Sequence, residues 1–128
     1  MTDPAAEKLV IVMWSADPSA SDRAAAPFVY ALAARALEID VEMHFTAGAV
    51  RWLFEGVADD AYTDQGRTKT VRDFIGEAAA AGVRLYACAM ALAERRRGEA
   101  LIGEMTGIAG AATVVGAAVE PGCRVMVF

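Results

Sequence analysis

The clearest structural signal in the chain is Val83-Arg84-Leu85-Tyr86-Ala87-Cys88-Ala89-Met90-Ala91-Leu92. It follows Gly82, a residue that readily ends a helix in the left-handed conformation. The residues before Cys88 are largely apolar and β-prone, whereas the residues after it are strong helix formers. The stretch therefore predicts a buried strand that passes directly into a helix, with Cys88 between them.

The position of Cys88 has two interpretations. In open α/β sheets, ligands and reactive groups collect at the carboxyl ends of the strands. A helix N-terminus also favours a thiolate over a thiol, so Cys88 is the candidate catalytic residue of the chain. The alternative is that Cys88 is a small buried hydrophobic residue, as free cysteines often are. Position alone leaves both interpretations open.

Strands and helices alternate on both sides of this stretch. The other predicted strands cover residues 8–14, 41–46, about 105–108 and 123–128, of which the first and last have the continuous apolar pattern of buried strands. The predicted helices cover about 21–38, 49–56, 70–81 and 89–101. Residues 111–119 suit a strand or a helix equally well. This alternation predicts a single three-layer α/β domain over residues 1–128, with a mostly parallel sheet.

Several details within these elements can be tested. Ser21 or Asp22 is expected to cap the first helix. Its apolar stripe is predicted to be Phe28, Val29, Leu32, Ala36 and Leu37. A capping box is predicted in Thr70-Val-Arg-Asp73, with Val71, Phe74, Ile75 and Ala78 facing inward. The cluster Trp52-Leu53-Phe54 suits either a core or an interface, and residues 58–69 are the best candidate for a mobile loop.

Composition limits the classes of function. The net charge of −5 and the lack of a basic stripe argue against nucleic-acid binding. No apolar run approaches the roughly 20 residues that a membrane span requires. Yet 56% of the residues are hydrophobic, so we expect the excess apolar surface to form a subunit interface in a homo-oligomer. The N-terminus does not resemble a signal peptide.

The chain contains few residues of the types that metal and cofactor sites use. Its one histidine and two cysteines lack any metal-site spacing, so no metal is expected. The loop over residues 15–22 has none of the glycines that a nucleotide cofactor needs, and no cofactor is expected. Both cysteines are predicted to be free thiols in a reducing cytoplasm, with Cys123 structural. His44 alternates with Glu42 and Thr46 along its strand, and we favour a structural role for it.

Familiar cysteine and phosphoacceptor motifs do not fit. A cysteine phosphatase needs five residues between cysteine and arginine, but six separate Cys88 from Arg95. A thioredoxin-like pair would need a second cysteine at position 91, where the chain has Ala91. A receiver domain would have an aspartate where Cys88 stands.

The chain resembles the DsrE/DsrF-like family of small sulfur-relay proteins, which includes TusD-type subunits. The matching segments are the opening strand with its Ser/Asp loop and Ala-rich helix, Val41-Glu-Met-His-Phe-Thr-Ala-Gly-Ala-Val50, Gly82-Val-Arg-Leu-Tyr-Ala-Cys88, and Gly107-Ile-Ala-Gly110 through Phe128. Together they cover nearly the whole chain. The chain departs from the family pattern at Ala89-Met90-Ala91, where several branches have a hydroxyl or a second thiol, and at Ile39, where a glycine often stands.

The resemblance implies a five-stranded sheet, a helix over residues 111–119, and assembly into trimers or hexamers. It also implies that Cys88 carries a persulfide, taking sulfur from a donor protein and passing it to an acceptor protein. The leading hypothesis is therefore an intracellular sulfur-relay protein. The alternative is a non-catalytic oligomeric binding or scaffold protein of the same fold, in which Cys88 is inert. Thiol reactivity at neutral pH separates the two.

Overall fold

The computed structural model describes residues 7–128. Five parallel strands form one sheet in the order β4-β3-β2-β1-β5. The strands are β1 (Lys8–Met13), β2 (Asp40–Phe45), β3 (Arg84–Cys88), β4 (Gly107–Ala109) and β5 (Cys123–Val127). The predicted α/β class and five-stranded sheet are confirmed, and the sheet is entirely parallel.

Four α-helices connect the strands: α1 (Ala25–Ala36), α2 (Val71–Ala80), α3 (Ala89–Arg95) and α4 (Ala111–Ala118). Two 3₁₀ helices, Ser21–Arg23 and Ala47–Leu53, lie in the loops after β1 and β2. No helix in residues 7–128 is both long enough and apolar enough to span a membrane.

The sheet is covered very differently on its two faces. The first three connections each add a strand on the same side of the previous one, whereas the last returns from β4 at one edge to β5 at the other. Because parallel crossovers are right-handed, this reversal puts α4 on the opposite face from α1, α2 and α3. Val114 and Ala117 of α4 pack on Val10, Val12 and Cys123. We call this side of the sheet the α4 face.

The main core lies on the other face. Ile11, Met43 and Leu85 of the central strands pack there with side chains from α1 and α2. Trp52 is fully buried in this core, and its indole N–H donates a hydrogen bond to the carbonyl oxygen of Ala16 at 2.7 Å. The aromatic cluster over residues 52–54 is therefore core rather than an interface.

The predicted start and stripe of α1 are wrong. The helix begins at Ala25 after a separate 3₁₀ turn, and no side chain caps it, so neither Ser21 nor Asp22 acts as its cap. Phe28 is buried as predicted, but Leu37 is 74% exposed. The residues on the sheet side are Ala24, Phe28, Ala31 and Ala34, whereas Val29 and Ala36 are exposed and Leu32 is partly buried. Alanines let the helix lie close to the sheet. The predicted stripe favoured larger apolar residues and therefore did not include Ala31 and Ala34.

Two other elements differ from prediction. Helix α3 ends at Arg95 rather than near Leu101, because Arg96 is extended and the chain turns through Gly98, whose φ is +95°. Strand β5 is an edge strand and not a buried one, with Val127 60% exposed. The predicted short helix over residues 49–56 is the 3₁₀ helix Ala47–Leu53.

The local signals around α2 and β3 are confirmed. The Thr70 hydroxyl accepts a hydrogen bond from the Asp73 N–H, and the Asp73 carboxylate accepts one from the Thr70 N–H. The turn after α2 places Gly82 at a φ of +92°, which glycine adopts without strain. Strand β3 then passes into α3 with no residue between them. Helix α4 confirms the helix expected over residues 111–119.

Replacing Thr70 with valine is expected to lower the free energy of unfolding by about 1 kcal/mol, because the capping hydroxyl is lost while the side-chain volume is kept. Urea unfolding followed by circular dichroism measures the change. Thr70→Ser keeps the hydroxyl and serves as the matched control. An equal loss of stability in both variants would show that the methyl group, and not the cap, stabilises α2.

Candidate active site

Cys88 occupies the junction between β3 and α3. It is the last residue of the strand and the N-cap of the helix, and its backbone is extended, with φ −67° and ψ 125°. This conformation leads the chain from the strand into the first helical turn. The thiol is partly buried, and it is not in a disulfide.

A cavity of about 190 Å³ lies beside Cys88 on the α4 face. Its polar lining residues are His44, Thr46 and Cys88, and most of the remaining lining is apolar, including Val12, Val114 and Val115. The polar side chains that line the cavity therefore come from β2, from the residue directly after it and from β3, whereas α4 and the segment just before it supply apolar and small residues. The cavity has room for a few non-hydrogen atoms beyond the thiol itself.

The strand register brings these three polar residues together. His44 of β2 lies opposite Tyr86 of β3, and Phe45 lies opposite Ala87. Continuing this register places Thr46 beside Cys88, at the spacing of about 4.8 Å that separates neighbouring strands. His44 lies two residues earlier on the same face, diagonally across from Cys88.

The pKa of the Cys88 thiol is lower than that of an ordinary cysteine. Burial raises this pKa, but the Thr46 side chain and the backbone N–H groups of Ala91 and Met90 together lower it by more. The N–H groups belong to the first turn of α3, and they stabilise the thiolate without a full capping hydrogen bond to the side chain. A larger fraction of Cys88 is therefore thiolate at neutral pH than for an ordinary cysteine.

His44 is held from two sides. It is 3% exposed, and its Nε2 lies 3.0 Å from Oε1 of Glu42. Its ring stacks on the ring of Tyr86, with centroids 5.0 Å apart and planes inclined by 15°. The semi-polar strand face that the alternation of Glu42, His44 and Thr46 predicts is present, and it faces α4.

Glu42 is the centre of a charged cluster. Glu42 is only 5% exposed, and its carboxylate contacts Lys8 Nζ at 2.5 Å and Arg84 Nη2 at 3.4 Å. Burial raises the pKa of Glu42, but the hydrogen bonds from Lys8 and His44 and the neighbouring positive charges lower it overall. The hydrogen bond to Glu42 in turn raises the pKa of Lys8. The structure therefore places an ionised carboxylate directly behind His44.

Sequence reasoning named Cys88 as the candidate site residue and favoured a structural role for His44, and it did not single out Thr46, Lys8 or Arg84. The alternation of polar residues along β2 was a signal for Thr46, which lies on the same face as His44. Nothing local marks Lys8 or Arg84, because each reaches Glu42 only through the pairing of its own strand with β2.

Cys123 lies at the opposite end of the sheet from Cys88. It begins β5 beside Lys8, is 7% exposed, and packs on Val10 and Ala117. Over residues 7–128, no three side chains of His, Cys, Asp or Glu are grouped as metal ligands would be.

A larger cleft, of about 520 Å³, lies away from Cys88 along residues 57–67 and is widely open. Part of the polar loop over residues 58–69 is braced internally, because the Asp64 carboxylate accepts hydrogen bonds from the Thr68 and Lys69 N–H groups. No cysteine or histidine lines this cleft, so the smaller cavity at Cys88 is the better candidate site.

Comparison with known proteins agrees with the fold. The model of the DsrE/DsrF-like family matches residues 8–128. The crystal structure of the ychN protein from E. coli superposes with a TM-score of 0.75 at 19% identity, covering 95% of this chain and 99% of that one. Among the curated proteins, the chain has no match.

Alkylation of Cys88 is expected to be half-maximal clearly below the pH of about 8.5 at which an ordinary thiol titrates. Thr46→Val is expected to move this midpoint to higher pH, because the valine no longer stabilises the thiolate. Mass spectrometry of peptides labelled with iodoacetamide measures both, with Cys123 as an internal control. Labelling of Cys88 no faster than Cys123, or only after unfolding, would contradict a reactive thiol.

Proposed function

The chain belongs to the DsrE/DsrF-like family, and on this premise we propose that it is a sulfur-relay protein that carries a persulfide on Cys88. It takes the sulfur from a donor protein and passes it to an acceptor protein in the reducing cytoplasm. The observation that supports this most directly is a thiol of lowered pKa that opens into a small, mostly apolar cavity.

The proposed reaction requires little from the protein other than a thiolate. The Cys88 thiolate attacks the terminal sulfur of the donor's persulfide, and a new S–S bond forms as the donor's S–S bond breaks. The donor leaves as a thiolate with the bonding electron pair, and the terminal proton stays on the transferred sulfur. The acceptor's thiolate repeats the same exchange on Cys88, so no external oxidant or reductant is needed.

The cavity suits a sulfur atom in this role. A terminal sulfur extends about 2.05 Å beyond the cysteine sulfur and is similar in size to a water molecule. The volume of about 190 Å³ holds it with space left for an attacking thiol. Apolar neighbours such as Val114 and Val115 limit the water around the S–S bond.

The second candidate function is a non-catalytic oligomeric scaffold of the same fold, which would use exposed apolar surface for self-association. Val119 is 77% exposed and Val127 60% exposed, and both lie at or near the α4 face. This surface supports self-association under either function, so we propose that the chain forms a homo-oligomer, a trimer or a hexamer. An inert Cys88 would leave the scaffold as the function.

Incubation with a sulfane-sulfur donor such as glutathione persulfide is expected to add one sulfur atom to Cys88. Cys88→Ser is expected to abolish the uptake, whereas Cys123→Ser is expected to retain it, because Cys123 lies at the other end of the sheet. Intact-mass and peptide mass spectrometry after alkylation locate the added sulfur. Uptake that persists in Cys88→Ser, or that is absent from the wild type, would contradict the proposal.

Introducing a charge on the exposed apolar surface is expected to break up the oligomer. Val127→Lys should shift the sedimentation coefficient toward that of the monomer, because a buried unpaired ammonium is costly in an interface. Leu37→Lys is the matched control, since Leu37 is equally apolar and 74% exposed but lies at the end of α1 on the opposite side of the sheet. A monomeric wild type, or equal dissociation by both variants, would rule out this interface.

A further inference from the structure

We propose that His44 is the proton acceptor and donor for the persulfide on Cys88. In the stored state the proton of the terminal sulfur rests on the imidazole, and the sulfur is held as an anionic perthiolate beside the imidazolium. The proton returns when the sulfur is passed on. This inference rests on the proposed sulfur-relay function and deepens it.

The geometry brings the two groups into one small space. His44 and Cys88 both line the cavity of about 190 Å³, on the same face of adjacent strands. Neighbouring strands lie about 4.8 Å apart, and each residue advances a strand by about 3.3 Å. The Cα atoms of His44 and Cys88, which differ by one strand and two residues, are therefore about 8 Å apart. Side chains of this length, extended by one further sulfur, span that separation. A sulfur on Cys88 therefore enters the volume that His44 borders.

The ring has one nitrogen left for the exchanged proton. The Glu42 carboxylate can only accept hydrogen bonds, so Nε2, 3.0 Å from it, carries a hydrogen. Within residues 7–128, Nδ1 makes no hydrogen bond to a side chain or to the backbone. Nδ1 is thus the acceptor nitrogen of the neutral ring, and protonation there gives an imidazolium whose Nε2–H remains hydrogen-bonded to Glu42.

Charged and titratable groups from three strands lie around His44. The titratable or charged groups that face it are Glu42 on its own strand, Lys8 from β1, and Arg84, Tyr86 and Cys88 from β3. Helix α4, which covers this face, contributes none. Lys8 and Arg84 keep Glu42 ionised, and the pKa of Glu42 lies below that of an ordinary glutamate. Glu42 is therefore an anion that can pair with an imidazolium at His44.

A purely structural role explains this cluster less well. A buried carboxylate with its partners costs desolvation energy, and well-packed apolar residues of similar volume often replace such groups without loss of stability. The adjacent strand β1 places Val10 and Val12 at the corresponding positions of the same face. The polar residues of this face run along β2 from Glu42 through His44 to Thr46, and the last two border the cavity at Cys88.

The storage and release steps differ in the position of this proton. In storage, the S–H bond of the terminal sulfur breaks, its electron pair stays on the sulfur, and Nδ1 takes the proton. For release, Nδ1 returns the proton, and the neutral terminal sulfur becomes a better electrophile for the acceptor's thiolate. Atoms and charge balance at each step, and no redox partner is involved.

The chain has a single histidine, so one imidazole signal in an NMR titration reports on this inference directly. The titration midpoint of that signal should rise by about one pH unit, or tenfold in proton affinity, when Cys88 carries a persulfide. The matched control is Cys88 capped with a methylthio group, which places the same second sulfur in the cavity but has no acidic proton. The capped form should titrate as Cys88→Ser does.

An unchanged midpoint in the persulfide form, or an equal rise in the methylthio form, would overturn the role of His44 while leaving sulfur transport intact. His44→Gln provides a second readout. It should slow transfer to an acceptor thiol, measured per persulfide loaded, and remove the part of the pH dependence near neutrality that does not come from ionisation of the acceptor thiol. Loss of sulfur uptake by the wild type would instead refute the proposed function. In that case, the NMR titration midpoint of His44 in the reduced wild type can still be compared with that in Cys88→Ser. A difference between the two midpoints would show that His44 responds to an anion at position 88.

Discussion

The Glu42 carboxylate lies in the central strand of a parallel sheet, where an unpaired charge would be too costly to bury. Lys8 from one neighbouring strand and Arg84 from the other contact it, and His44 lies two residues along its own strand. These contacts require the register that the three strands adopt. The same register brings Thr46 beside Cys88. The polar side of the sheet is thus organised around one buried negative charge.

The two faces of the sheet contribute unequally to the hydrophobic core. On the face covered by α1, α2 and α3, large apolar side chains such as Phe28 and Trp52 fill the space and supply most of the core. On the α4 face, a single short helix of small residues covers the sheet, and the cavity remains open beside Cys88. The cavity at Cys88 lies on the face that contributes least to the packing, so it removes little of the apolar contact that holds the fold together.

The parts of the structure that the sequence predicted well are those fixed by local interactions. The capping box at Thr70, the turn at Gly82 and the change from strand to helix at Cys88 each depend on a few adjacent residues. The apolar stripe of α1 was mispredicted, since how closely a helix approaches the sheet selects alanine over larger residues. The exposure of β5 and the contacts of Lys8 and Arg84 with Glu42 depend on strand order and register, which sequence patterns do not encode locally.

The crossover from β4 to β5 has a consequence for how the chain is made. Strand β1 pairs with β2 on one side, but its other partner is β5, where Cys123 lies opposite Lys8. While a ribosome is still synthesising the last strand, β1 has an open edge of unpaired N–H and C=O groups, which can pair with another nascent chain. Charged Lys8 at one end of that edge is unfavourable for such pairing. Completion of the sheet, and closure of the Cys88 cavity by α4, therefore require that the segment from α4 to β5 has been synthesised.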